Sequence, residues 1–503
     1  MEASDPVGLH RKAALEVGDV AGLKSRCRLK PAPRAARSRA LVVIALFAAT
    51  SPLLWAGDVT FTDVAPVLYR HCANCHHAND IAPMSLLTYK ETRPWAAAIR
   101  EAVLTHQMPP WKADPSYGKW SNDWSLSASE IATIKAWVDQ GAQEGDPKLL
   151  PAAPVFSTDW KIGKPDAIIS IPPHTLTADG PDEYEYFTVP TNFTEDKWVV
   201  AAELRPGNRR IVHHAHVSVT QPEHSKTAGD KKEEPADPQE AYSDWLLVHE
   251  GKLRWMRYEA PVIDDGCIVD DNSYFPGKKP RDEIFAGAPW GLLGSYLPGR
   301  GPDVFPEGTA RQIPAGANLT FQIHYSKATK KPETDVTSVG LIFAKAPPRT
   351  VARRVDLSNY FFRIPAGDSN VEVSECHTFH QDMYLTSLTP HMHLRGKDAR
   401  FEVTYPDGRK ETLLFVPHYN FNWQITYRMS EAKFIPKGTR LAIVSHFDNS
   451  PNNPLNPDST KVVRWGEASE MEMMDGWIEY VDTPPRVSGS GAQLSSRAGS
   501  SGN

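Results

Sequence analysis

The motif with the most specific chemistry in this sequence is Cys-x-x-Cys-His, formed by Cys72, Cys75 and His76. Two thiols at this spacing can each form a thioether to a vinyl group of haem, and the following histidine can then reach the iron. A redox-active cysteine pair or half of a zinc knuckle is the competing interpretation. The five cysteines of the chain include no second pair that would complete a zinc site. The motif therefore predicts one covalently attached haem c.

The second axial ligand of such a haem should be a thioether or an imidazole. Met108 lies just before two prolines that keep its stretch out of a helix. Met84 and His106 are the alternatives, but Met84 follows His76 so closely that little chain is left to reach the opposite face of the ring. We therefore expect Met108 to be the ligand, the ordinary alternative being a methionine that fills a gap in the core.

Histidines that could converge on metals occur in short alternating segments from Val155 onward. His391 and His393 are two residues apart, so on a strand they share a face and can hold one metal between them. His324 lies in a separate segment of the same kind. A single histidine in a β domain is most often a hydrogen-bonded core or surface residue, so the pattern alone does not fix a set of ligands.

His213, His214 and His216 form a further group. Adjacent residues on a regular strand face opposite ways, so strand periodicity pairs His214 with His216. A β-bulge or a strand end would instead let His213 and His214 reach the same metal. Periodicity by itself leaves both pairings open.

Helices are expected around the haem motif, and strands after it. A helical pattern covers residues 95–104, and another helix should start within the serine-rich residues 125–129 and end at Gly141. Proline and small residues make 147–154 a linker. The length of 503 residues exceeds one hydrophobic core and predicts roughly two to four domains.

Composition and charge exclude several classes of protein. Hydrophobic residues make up 41% and charged residues 23%, which is typical of a globular protein rather than a disordered one. The net charge of −6 comes with no basic stripe, so nucleic acid is not an expected partner. The apolar residues 41–55 follow several arginines and precede Ala56 and Gly57, the order typical of a signal peptide. This predicts an exported, periplasmic bacterial protein without a stable membrane span, an uncleaved anchor being the alternative.

Two regions resemble known families. Residues 58–150 resemble cytochrome c domains fused ahead of bacterial copper monooxygenase-like modules, through residues 82–86 (Ala-Pro-Met-Ser-Leu), 93–95 (Arg-Pro-Trp) and 108–111 (Met-Pro-Pro-Trp). The histidine groups make residues 155–482 similar to the copper type II, ascorbate-dependent monooxygenases, the family of peptidylglycine alpha-hydroxylating and dopamine beta-monooxygenases.

The resemblance implies a multidomain fold, in which a small all-α cytochrome c domain precedes two all-β, jelly-roll-like β-sandwich copper domains. The implied parts are a signal or targeting segment at 1–57, the cytochrome c domain at 58–150, the N-terminal copper domain at 155–345, the C-terminal copper domain at 346–482 and a disordered tail at 483–503.

The resemblance also implies two copper sites. His213, His214 and His324 would hold the copper that stores and delivers an electron, with His216 as the alternative to His213. His391, His393 and Met473 would hold the copper that binds dioxygen and attacks a C–H bond. Met471, which follows a glutamate, is the alternative to Met473.

The chain departs from the peptide-amidating enzymes at positions near the second copper. Thr389, Asp475 and Trp477 stand where those enzymes have the arginine, asparagine and tyrosine of their substrate site. A glycine-extended peptide is therefore not the expected substrate. The expected substrate is a small organic molecule, whose identity the sequence does not specify. Cys267 and Cys376 are the only cysteines of this region, and their pairing stays open.

The sequence thus predicts an exported copper- and haem-dependent monooxygenase. Dioxygen and the organic molecule would be its substrates, and the cytochrome domain would pass electrons from a redox donor protein to the first copper. The alternative is a non-catalytic periplasmic electron-transfer or copper-binding protein. A zinc hydrolase built on the first histidine group is disfavoured, because a thioether is a poor zinc ligand and a haem would have no purpose there.

Overall fold

The computed structural model describes residues 58–485, apart from residues 79, 81, 157–158, 181, 221–290, 298–299, 328–330, 360–361, 380 and 467. Within this part of the chain strands carry most of the regular structure. The expected signal segment, most of the C-terminal tail and Cys267 lie outside the described residues.

Four α-helices lie among the first hundred described residues, with short 3₁₀ turns at Arg93–Trp95 and Pro147–Leu149. The α-helices are α1 (Phe61–His71), α2 (Tyr89–Thr92), α3 (Ala96–Leu104) and α4 (Ala128–Asp139). α4 begins at a capping box in which Ser127 and Glu130 bond each other's backbone N–H groups. The helical patterns of the sequence are confirmed by α3 and α4. Phe61 and Leu68 of α1 pack with Ile99 and Trp137 in a small core.

The first β module, residues 167–351, consists of two main sheets around one core. Its strands are β1 (Ala167–Ser170), β2 (His174–Leu176), β3 (Glu183–Pro190), β4 (Lys197–Arg205), β5 (Val212–Thr220), β6 (Gly291–Tyr296), β7 (Asp303–Val304), β8 (Thr309–Ile313), β9 (Asn318–Tyr325), β10 (Glu333–Asp335), β11 (Ser338–Phe343) and β12 (Thr350–Val351). One sheet has the order β1-β11-β4-β8-β12 with β7 beside β4, and the other has the order β3-β9-β5-β6. β2 and β10 form a separate pair.

The second β module, residues 353–481, repeats the two-sheet plan. Its strands are β13 (Arg353–Ser358), β14 (Arg363–Ile364), β15 (Val371–Thr378), β16 (Met383–Met392), β17 (Gly396–Thr404), β18 (Lys410–Val416), β19 (Tyr427–Ile435), β20 (Arg440–Phe447), β21 (Val463–Arg464) and β22 (Met474–Val481). Its sheets have the orders β13-β22-β16-β19 and β15-β20-β17-β18. Apolar side chains of both sheets fill the space between them.

The two β modules have separate cores and share a polar contact surface. The first core ends at Ala352 and the β part of the second begins at Val355, a few residues beyond the expected boundary. Arg311 of β8 pairs with Glu479 of β22 at 3.2 Å. This ion pair joins a sheet of one module to a sheet of the other.

The predicted fold class, with a small all-α cytochrome c domain ahead of two copper domains, is wrong. The structure is mostly β, and residues 58–150 do not form a separate all-α unit, since Gly57–Asn503 clusters as one compact unit. The segment between α3 and α4 belongs to the second β module: Trp111 and Ala113 lie in its core, and Trp120 forms a backbone bridge with Met429. Burial of this aromatic-rich segment outweighs its proximity in sequence to the helices.

No helix within the described part of the chain combines the length and the apolar character needed to cross a bilayer.

Candidate metal centres

The first histidine cluster lies where β5 begins and β9 ends. Val212 pairs with Tyr325 and His214 pairs with His324, so His213 is the extra residue of a β-bulge. The bulge turns the side chain of His213 toward the side on which His214 and His324 lie. The sequence left this bulge as one of two possibilities, and the structure contains it.

The ring nitrogens of the three histidines converge. Nδ1 of His213 lies 3.2 Å from Nδ1 of His214 and 3.2 Å from Nδ1 of His324. One ligand atom from each residue fits within 4.8 Å of the other two. Nε2 of His324 lies 3.2 Å from Oδ2 of Asp182, and its ring stacks on Tyr184 at 4.2 Å. A carboxylate at the far nitrogen fixes the orientation of a ligating imidazole.

Burial keeps these imidazoles neutral. It lowers the pKa of His213, lowers that of His214 well below the ordinary value, and lowers that of His324 to about 4. A neutral imidazole keeps a free lone pair, which is the form that binds a metal. The cluster therefore needs no deprotonation to accept a cation at neutral pH.

His216 lies beside this cluster and has other partners. Its Nδ1 lies 2.8 Å from the hydroxyl of Ser295, and its ring meets Trp477 edge-on at 6.0 Å. The compact group of ligand atoms consists of His213, His214 and His324 without it.

The second cluster lies at the end of β16. The rings of His391 and His393 are 5.3 Å apart and nearly perpendicular. Nδ1 of His391 lies 2.9 Å from Oε1 of Gln424, and Nδ1 of His393 lies 3.3 Å from the carbonyl oxygen of Met471. Each Nδ1–H donates to an oxygen acceptor, so Nε2 is the ring nitrogen that each histidine would offer to a metal. Burial lowers the pKa of His391 to about 4 and that of His393 to about 3.

Strand register bears on the methionine of this cluster. His391 pairs with Asp475 and Met392 with Met474, and continuing that register places Met473 opposite His393. The ladder ends at Met392 and Met474, so Met473 would share the face of both histidines if the same register extends one residue further. The sulfur of Met471 instead packs so closely against Gly466 that a Cβ there would clash with it.

Glu472 fixes the segment between the two methionines. Its carboxylate is fully buried and accepts the backbone N–H groups of His393 at 2.8 Å and Arg395 at 2.6 Å. Burial raises the pKa of Glu472 to about 8. This buried contact holds the residues just before β22 against the end of β16.

The two clusters lie on either side of the contact between the β modules. The ring of Phe421 is 6.3 Å from that of His213 and 5.6 Å from that of His393. The hydroxyl of Tyr184 lies 2.9 Å from that of Ser469. Phe421 of the second module thus reaches both clusters.

A cavity of about 540 Å³ brings together all four residues expected to hold the haem: it is lined by Cys72, Cys75, His76 and Met108. That volume lies within the usual range of ligand pockets. Both thiols are free, and His76 Nδ1 is buried without a hydrogen-bond partner in the described part of the chain. Burial raises the pKa of Cys72 to about 12. These features fit a covalently attached haem: two free neutral thiols, an imidazole nitrogen without a partner, and a cavity of this volume.

The alternative axial ligands lie elsewhere. Met84 packs against the small helical core. His106 is exposed and has a left-handed backbone with φ of 53°. Of the three candidates, Met108 is the one that lines the cavity.

Sequence reasoning missed the residues that support the clusters. Gln424 and Phe421 lie in the loop between β18 and β19, and Tyr184 lies on β3. Only Glu472, which immediately precedes Met473, had a signal in the sequence. It also missed a grouping of His174, Glu183 and Glu185, in which the ammonium of Lys327 already pairs with Glu183.

Cys376 is disulfide-bonded, and Cys267, its candidate partner, lies outside the described residues.

No protein-family model and no curated protein matches the chain. Similar solved structures include the major capsid protein P2 from bacteriophage PM2, at 11% identity over 63% of this chain and 96% of that chain, with a TM-score of 0.24. Another is Paenibacillus xanthan lyase, at 10% identity over 67% and 28%, with a TM-score of 0.15. Likenesses at these TM-scores support no assignment of fold or function.

Proposed function

We propose that the chain is an exported copper- and haem-dependent monooxygenase that hydroxylates a C–H bond of a small organic substrate with dioxygen. The observation that carries the proposal is the convergence of His213, His214 and His324, with Phe421 between them and the histidine pair of the second cluster. A thioether added to that pair would give two unlike donor sets, which suit two coppers with different tasks.

The first site would be held by three imidazoles, a donor set that suits copper in either oxidation state. His213 and His214 are aligned by the bulge in β5, and Asp182 orients His324. These supports would hold the rings in the same positions in both oxidation states of a bound copper, which would supply one-electron transfer there.

The second site would be held by His391, His393 and Met473, and the thioether favours Cu(I). Copper held there would supply the activation of dioxygen. The chain's own part is to fix both rings through Nδ1, using Gln424 and the carbonyl of Met471.

A haem attached to Cys72 and Cys75, and held also by His76 and Met108, would supply one-electron transfer from an external redox donor. The cavity that would hold it is also lined by Ser295 and Gln424. Ser295 contacts His216, next to the first site, and Gln424 contacts His391 of the second. Covalent linkage within one chain raises the effective concentration of the donor at the coppers.

The substrate side of the second site offers no carboxylate clamp at the positions used by the peptide-amidating enzymes. The hydroxyl of Thr389 is bonded to that of Thr426 at 2.9 Å, and Trp477 stacks on His391 at 4.9 Å. The ring of Trp477 is also covered by the guanidinium of Arg354 at 4.4 Å, so neither Thr389 nor Trp477 is free to bind a peptide carboxylate.

The test is oxygen uptake by the haem-containing, copper-loaded protein during a screen of organic substrates. We expect at least one substrate to give uptake matched by hydroxylated product, and His391→Ala to abolish it. His418→Ala, at an exposed histidine outside both clusters, is the matched control and should leave uptake unchanged. Metals and haem bound without coupled uptake for any substrate would instead indicate the non-catalytic electron-transfer or copper-binding protein.

A further inference from the structure

The wall of the cavity that faces the Cys-x-x-Cys-His motif contains two polar groups without partners. The hydroxyl of Tyr296 and Nε of Arg300 are both buried and have no hydrogen-bond partner among the described residues. Tyr296 is 9% exposed, and the side chain of Arg300 is 10% exposed. Buried polar groups are nearly always hydrogen-bonded, so two orphans lining one cavity point to a ligand that satisfies them.

The charges around the cavity specify the sign of that ligand. Four cationic side chains line it: Lys161, Arg209, Arg300 and Arg428. Asp80 pairs with Lys161 and Arg209, and Asp303 pairs with Arg300 and Arg428. Two shared carboxylates therefore face four cations. Glu203 also lines the cavity and accepts the backbone N–H of Ile162 at 3.1 Å, so at most three carboxylates face the four cations. The cations therefore outnumber the carboxylates, and the net positive charge favours an anionic ligand.

A carboxylate suits both orphans, because it accepts hydrogen bonds from a phenol and from a guanidinium. Haem carries two propionate carboxylates, and the thiols that would attach it line the same cavity. We propose that Tyr296 and Arg300 bind the propionates of the haem attached at Cys72 and Cys75. This inference rests on the proposed function.

The consequence concerns how the haem is held. Tyr296 ends β6, and Arg300 follows in the next turn, so both belong to the first β module. The residues after α1 would supply the covalent linkage, Met108 after α3 would supply a further ligand, and the first β module would anchor the anionic edge. The haem would then be shared between two parts of the chain, one of which carries the first histidine cluster.

The experiment compares full-length, haem-containing wild-type protein with Tyr296→Phe and Arg300→Gln. We expect each variant to shift the propionate bending bands in the resonance Raman spectrum. We expect Arg300→Gln also to favour ferric haem about tenfold in a redox titration, because a nearby cation disfavours the extra positive charge of ferric iron. Arg300→Lys keeps the charge and the pairing with Asp303. Its balance of ferric and ferrous haem should therefore stay close to that of wild-type protein.

Matched controls are Tyr186→Phe and Arg210→Gln, two exposed side chains that do not line the cavity. They should leave both readouts unchanged. If haem is attached in every variant and the propionate bands match those of the controls, the inference is overturned but the proposed haem site is not. Absence of covalent haem from wild-type protein on a haem-stained denaturing gel would overturn the proposed haem site and the inference with it. A free organic carboxylate in the cavity would be revealed by retention of that acid in place of haem.

Discussion

At the scale of single residues, the second cluster is defined by which ring nitrogen each histidine uses on a protein acceptor. His391 and His393 each use Nδ1 on a protein acceptor, so Nε2 is the nitrogen that each would offer to a metal at the end of β16. Extending the register of β16 and β22 by one residue would place Met473 on the face of these histidines, whereas the sulfur of Met471 is packed against Gly466. The choice of Met473 over Met471, which the family resemblance implies, stays a prediction.

Replacing Met473 with isoleucine should abolish hydroxylation and leave the first copper bound. The change keeps an apolar side chain of similar volume, so it costs less than about 1.5 kcal/mol of stability while removing the soft donor. Product formation and copper content per chain are the measurements. Met471→Ile is the matched control and should keep activity. The reverse pattern would assign the ligand to Met471.

Replacing Gln424 with leucine should weaken copper binding at the second site by about 10- to 100-fold, because the acceptor that orients His391 is lost. The first copper should keep its affinity, and Gln424→Glu should recover part of the loss by restoring an acceptor. Copper titration monitored by electron paramagnetic resonance separates the sites. Gln381→Leu, at an exposed glutamine whose amide bonds Asp482 and which belongs to neither cluster, should leave both affinities unchanged. Equal weakening of both sites in Gln424→Leu would show a general structural effect.

The sequence predicted the candidate ligand residues but not the residues that hold their side chains in position. His213, His214 and His324 were identified through a family resemblance, and the bulge that brings them together was one of two geometries left open by periodicity. Gln424 and Tyr184 contact the clusters only because loops and strands far apart in sequence meet in the fold. No local spacing encodes such contacts.

At the scale of elements, β8 and β22 are joined by the pair Arg311 and Glu479 across the two β modules. Burial by itself would raise the pKa of Glu479, but the charge of Arg311, the hydroxyl of Ser387 and the charge of Arg354 together lower it to about 2. The side chain keeps 26% exposure, which moderates the energy of the pair.

Glu479→Gln should therefore lower the free energy of unfolding by about 2 kcal/mol at neutral pH. A carboxyl whose pKa is lowered on folding stabilises the protein above its ordinary pKa of 4.5 and loses that contribution as the pH falls toward about 2. The difference between wild type and variant should accordingly shrink between pH 4.5 and 2. Denaturant unfolding across this range measures it. Glu411→Gln, within a surface ion pair of one module, should cost less than about 1 kcal/mol. A difference independent of pH would contradict the assignment.

Element types were more predictable than element partners. The 3.6-residue pattern and the serine cap identified α3 and α4, since both signals are local. The segment between them was assigned to a helical domain by its place in the sequence. Trp111 and Trp120 pack instead against Tyr427 of β19, a contact that only the assembled second module creates.

At the scale of the whole molecule, three potential sites meet where the helical region and both β modules come together. The cavity wall includes Ser295 of the first module and Gln424 of the second, each bonded to a histidine in or beside a cluster. The proximity of all three sites is the main reason to propose one coupled redox function rather than three separate binding sites.

The most direct test of this account is the metal content of purified full-length protein, matured with haem-attachment machinery and supplied with copper. We predict two coppers and one iron per chain, with the iron retained after denaturation because the haem is bound through Cys72 and Cys75. His213→Ala combined with His214→Ala should leave one copper and one iron. A single zinc per wild-type chain, without copper and without haem, would contradict the account.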